Sequence, residues 1–187
     1  RVVLRLDPTN TFAPGRLASI DCELGRPGLA LQMYERNAKL FGGPDDALLL
    51  LGRLDEARRR VEAELATAPH NAHILARYAH LLARSGDVAK AEAVLRRAAK
   101  HLPNLGHIHH PEYDLARACA VLGRRPEALT WLERTARDGM PNHTLFATDP
   151  FLTSLRGYPA FEEFLRRLKI QHDYYLALVE GRSKPNL

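Results

Sequence analysis

The residues of this chain with the most reactive potential are its 9 histidines and 2 cysteines. Three of the histidines fall in one stretch, HIHH, as His107, His109 and His110, with His101 just before them. Imidazoles at that density could ligate a transition metal. A zinc site, however, needs fixed ligand geometry and usually a third or fourth protein ligand. A stretch inserted between helices supplies no such frame, and neither Cys22 nor Cys119 lies beside it. No metal and no cofactor are therefore expected.

The two cysteines lie far apart and form neither a disulfide framework nor a ligand cluster. A reducing, cytoplasmic setting is the simpler expectation. Cys119 aligns with the core position of Leu82 and should be an inert buried thiol. Cys22 is expected to be more exposed, but no His and Asp are arranged in sequence to activate it. Glu62/Glu64 and Glu162/Glu163 are carboxylate pairs in sequence only; acid–base catalysis needs a pocket around them. With no nucleophile, base and oxyanion donors brought together, and no kinase glycine loop or catalytic loop, the chain reads as a non-enzyme. The runs Arg58-Arg59-Arg60, Arg96-Arg97 and Arg166-Arg167 could touch phosphates. Stacking aromatics do not interleave with them, so nucleic acid is not the expected partner. A net charge of +5 and a pI near 9.5 favour acidic partners in general.

Residues can act together only if regular elements place them, and the punctuation for those elements is glycine. Gly25/Ala30, Gly52/Ala57, Gly86/Ala91 and Gly123/Ala128 repeat one spacing, with the glycines 27, 34 and 37 residues apart. Each Gly suits the left-handed residue that ends a helix. Each Ala suits the closest crossing of the next helix over the first. Four residues after each Ala comes a large side chain, Tyr34, Val61, Leu95 or Leu132, the helical stripe that faces a neighbour. Helices are expected from Pro14 to Leu24, from Pro27, from Pro44 to Gly52 (a truncated unit), up to Pro69, from Asn71 to Ser85, up to Pro103, and from Pro111 to Leu122. Asp149-Pro150 and Pro159 mark later starts. Phe161, Phe164, Leu165, Leu168, Tyr175 and Leu178 should form one apolar stripe on a longer final helix.

A period near 34 residues of helix–turn–helix units resembles the tetratricopeptide repeat family. The resemblance implies an all-α, right-handed α-solenoid with C-terminal capping helices. The expected organisation is a single domain over 1–187. Residues 1–8 would end a preceding helix, repeats would span about 11–43, 44–70, 71–105 and 110–141, a cap would span 142–180, and 181–187 would be a frayed tail. LARACAVLGRRPEALTWLERTARDGMPN, followed by LFATDPFLTSLRGYPAFEEFL, is similar to the closing segment of bacterial tetratricopeptide arrays joined to kinases, cyclases or winged-helix regulators. No apolar run is long enough to span a membrane. There is no charged-then-apolar leader, and the opening RVVLRLDPTN reads as the end of a helix in a longer protein.

The first helix of each unit lines the concave groove in such arrays. Groove positions outside the packing stripe are Phe12, Arg16, Ser19 and Glu23 in the first unit, His73, Arg77, His80 and Arg84 in the third, and His110, Tyr113, Asp114 and Arg117 in the fourth. The central groove would be basic and rich in imidazole. It would suit an extended acidic peptide or a terminal carboxylate. The Lys and Asn of the family's carboxylate clamp are absent, so chaperone-tail binding is not implied. The expected function is a non-enzymatic protein-interaction scaffold; the alternative is a sensing or oligomerising module of a larger signalling enzyme or transcription regulator, with homo-oligomers possible in either case.

Overall fold

The computed structural model describes residues 6–7, 9–40, 42–104 and 107–181. Among these residues there is no strand, only α-helices and two short 3-10 turns. Contacts divide the chain into two compact units, Arg1–Ala63 and Glu64–Leu187. Of the expected segments 1–8 and 181–187, residues 1–5, 8 and 182–187 lie outside the described residues.

In the first unit, α1 (Phe12–Glu23) packs on α2 (Pro27–Arg36), and α2 on the short α3 (Asp45–Leu50). Helix α4 (Leu54–Thr67) opens in this unit, where its Ala57 and Val61 are buried, and its residues from Glu64 onward belong to the second unit. Helix α1 starts at Phe12, ahead of the proline expected to open it. Pro14 is tolerated there because first-turn N–H groups have no intrahelical acceptor to lose. Pro111 sits in a first turn in the same way, since its helix begins at His109. Six residues of α3 are too few to hold a helix alone. Burial of Ala47, Leu48 and Leu49 holds it in place.

The second unit contains α5 (Ala72–Arg84), α6 (Val88–His101), α7 (His109–Val121), α8 (Arg125–Arg137), α9 (His143–Thr148), a 3-10 turn (Pro150–Leu155) and α10 (Pro159–Val179). Helices pair as α5 with α6 and α7 with α8, and α5 packs along α7. Asn71 caps α5, its side chain accepting from the N–H groups of His73 (2.9 Å) and Ile74 (3.3 Å).

The repeated glycines do what their spacing predicts. Gly25, Gly52, Gly86 and Gly123 hold φ of 71°, 73°, 78° and 74°. At each, the following N–H donates to a carbonyl one turn back: Arg26 to Asp21, Arg53 to Leu48, Asp87 to Leu82 and Arg124 to Cys119. That bond satisfies a carbonyl the helix end would otherwise leave open. The paired alanines Ala30, Ala57, Ala91 and Ala128 are all buried, as are Tyr34, Val61, Leu95 and Leu132. Ala91→Leu should therefore overpack a helix crossing and cost about 1–3 kcal/mol. A thermal melt matching wild type would contradict this register.

Two further expectations fail. Cys22 is buried, because it lies on the inner face of α1 with Gly15 and Ala18. The final stripe is also only half used. Phe161, Phe164 and Leu168 are buried, but Tyr175 is 57% and Leu178 43% exposed. The 21 residues of α10 outrun its 6-residue neighbour α9, so the stripe continues past what could cover it.

Candidate functional site

Helix α5 carries His73, Arg77, His80 and Arg84 at spacings that fall on one face, and α7 carries His110, Tyr113 and Arg117 likewise. Because α5 packs along α7, these seven residues share a region of the second unit. Arg16 and Ser19 belong to the first unit. Arg16 is exposed. Ser19 is half-buried, and its hydroxyl donates to the Gly15 carbonyl at 3.2 Å.

The seven residues do not share one environment. His73 and Arg77 are half-buried, Arg84 and His110 are exposed, and His80, Tyr113 and Arg117 are buried. What buries the last three is a segment the sequence reading left out of the site, Asp149 to Phe151. Arg117 Nε donates to Asp149 Oδ2 at 2.6 Å, and the Tyr113 hydroxyl donates to the same carboxylate. The other oxygen of Asp149 accepts the Phe151 N–H at 2.8 Å and so starts the 3-10 turn. Phe151 then sits among the basic side chains. The His80 ring meets it edge-on at 4.5 Å, and the guanidinium carbons of Arg117 and Arg84 lie 5.3 and 5.4 Å from its centroid. Arg117 is also stacked over Tyr113 at 4.3 Å. Half of the basic face is thus already matched by a carboxylate and an aromatic ring of the chain itself. A clue was present in sequence: Asp149-Pro150 reads as a cap for a helical start. Its second oxygen, and the residue that oxygen reaches, were not legible.

The open part of the face runs through His73, Arg77, Arg84 and His110. Arg77 donates to Glu64 of α4. Burial lowers the pKa of His73 first, and the positive neighbours Arg77, His107 and His109 lower it further. His107, His109 and His110 gather at the start of α7, with ring centroids 5.8 Å apart (His107–His109) and 4.3 Å apart (His109–His110). His109 Nδ1 lies 3.1 Å from the Asp138 carbonyl oxygen. Among the described residues no group of three or more His, Cys, Asp or Glu is arranged to hold a metal ion.

Glu112, also in the first turn of α7, was not singled out by the sequence. Its side chain is fully buried and accepts from Arg134 Nε at 2.9 Å. Burial pushes its carboxyl above the usual range, Arg134 pulls the other way, and the Asp138 charge adds to the rise. A raised native pKa means the folded state holds the proton more tightly than the unfolded chain does. The associated stability is fully present below the unfolded value, about 4.3 for Glu, and is lost as pH rises through the native value. Glu112→Gln should consequently compare better with wild type at pH 7 than at pH 4. Urea titrations at the two pH values check this, and an equal difference at both would refute it.

Neither cysteine offers a nucleophile. Both are buried and neither is in a disulfide, and burial pushes the Cys119 thiol up to about 12.

Comparison with known proteins agrees with the helical pairs. A tetratricopeptide repeat family model matches residues 48–110, and a second tetratricopeptide repeat model matches residues 109–134. Curated proteins and solved structures gave no significant match. Left-handed glycines that end each first helix, buried alanines at the crossings and two family matches identify residues 48–134 of this chain as tetratricopeptide repeats.

Proposed function

We propose that this chain is a non-enzymatic interaction scaffold that receives an acidic peptide segment of a partner protein along the open face of α5, with His110 of α7 at its side. Tetratricopeptide repeats generally mediate protein–protein interaction, which supports the scaffold part of this reading. The acidic character of the segment rests on one observation. Arg84 is exposed, its guanidinium is steadied over Phe151, and among the described residues no carboxylate lies within ion-pair distance of it. An oriented guanidinium without a carboxylate is ready to accept one, and a charge-assisted bond of that kind contributes about 1.5–3 kcal/mol. From His73 to Arg84 the face is about 16 Å long at 1.5 Å per residue, which an extended segment of about five residues would span. A cytoplasmic setting belongs to the same reading, supported by two buried cysteines that form no disulfide.

The test is fluorescence anisotropy with labelled hexaglutamate. Wild type should bind it, and Arg84→Glu should bind about tenfold more weakly or worse, with unchanged circular dichroism. Equal affinity in the variant would overturn the reading, as would equal affinity of wild type for a single-stranded oligonucleotide of the same charge.

A further inference from the structure

We propose that His73, His107, His109 and His110 form, beside Arg77, a proton-gated subsite for carboxylate side chains at the N-terminal end of this same face. The inference rests on the acidic-segment reading above and adds its regulation. The geometry carries it. Three imidazoles touch in series, with centroids 5.8 Å and 4.3 Å apart. His73 lies in the first turn of α5, which packs along α7. No single element assembles this group. It exists because α5 and α7 lie side by side and each opens with histidine.

Imidazole is the side chain that changes charge between about pH 5 and 8. Neutral, the cluster offers a carboxylate few donors and no net charge. Protonated, it adds positive charge beside Arg77, which an arriving carboxylate would offset. Anion binding and proton uptake are therefore linked, each promoting the other. The charged groups around the cluster come from each packed element. Helix α5 brings Arg77, which is paired with Glu64 of α4. Helix α7 brings buried Glu112 and, one turn after His110, half-buried Asp114, which lies 3.6 Å from Arg117, and α8 brings Arg134, Arg137 and Asp138. Asp138 keeps its charge over this range, since the Arg137 side chain holds its carboxyl low. Glu112 is a neighbouring carboxyl displaced upward, so it is a competing source of any pH effect and needs its own control.

Hexaglutamate is the probe again, because glutamates stay charged above about pH 5. With the full chain, wild type should bind it at least tenfold more tightly at pH 5.5 than at pH 8.0. His107→Gln combined with His110→Gln, both at exposed positions, should reduce that ratio to below threefold. Glu112→Gln should keep it near the wild-type value. A wild-type ratio under twofold would overturn the subsite, as would an undiminished ratio in the double variant or a ratio abolished by Glu112→Gln. If Arg84→Glu weakens binding at both pH values while the pH ratio is flat, the subsite fails and the acidic face survives. If Arg84→Glu has no effect at either pH, the face itself fails.

Discussion

Asp149→Ala should destabilise the second unit by about 3–5 kcal/mol, the usual cost of leaving a buried charge without its partner. Asp149 is 4% and Arg117 7% exposed, so water cannot replace what is lost. One carboxylate serves three donors: Arg117 Nε at 2.6 Å, the Tyr113 hydroxyl, and the Phe151 N–H at 2.8 Å. Asp114 lies 3.6 Å from Arg117 and would compensate in part. The charge and cap contributions can be separated. Asp149→Asn keeps an acceptor for the Phe151 N–H and should recover only the cap, about 1 kcal/mol. Asp149→Ala with Arg117→Met removes both charges and should recover more than Asn does, since an apolar replacement of a buried pair is often neutral. Urea unfolding of the three variants would measure this. A loss below 1 kcal/mol for Asp149→Ala would mean that the pair is not desolvated as described.

Phe146→Ala should be comparably severe, again about 3–5 kcal/mol. Phe146 is the fully buried anchor of α9, and its ring faces Tyr113 of α7 at 5.4 Å and Phe164 of α10 at 5.9 Å. A helix of 6 residues cannot persist through its own hydrogen bonds. Losing that side chain should therefore release α9 and uncover Phe164 at once. For a chain of this length the melting temperature should fall by about 6–20 °C, measured by calorimetry. Phe146→Leu should lose much less, because it leaves a smaller cavity. An unchanged transition in Phe146→Ala would show that α9 is not part of the cooperative unit.

Both predictions concern contacts that the sequence left hidden, and the reason is the same in each. Helix ends are local events. A glycine forced to positive φ and a small residue at a crossing leave their mark within a few positions, so Gly86 and Ala91 could be read directly. The direction a polar side chain takes is not local. His80, Arg84, Tyr113 and Arg117 fall on helix faces that look open when only the repeat is considered. Their exposure depends on a segment more than thirty residues further on in the chain, for Tyr113 and Arg117. The same limit applies to α10, where periodicity marks Tyr175 and Leu178 as apolar but cannot say that the neighbouring helix has already ended.

Period, punctuation and helix phase thus come from the chain's own order of residues, because backbone hydrogen bonding and steric limits act over one or two turns. The repeat family, the all-helical class and the buried crossings follow from those alone. Tertiary packing decided which cations remain available. It spent Arg117 on Asp149, left Arg84 at the surface over Phe151, and laid α5, which opens with His73, along α7. Electrostatic pairing acts through space, and no spacing rule along the chain encodes it.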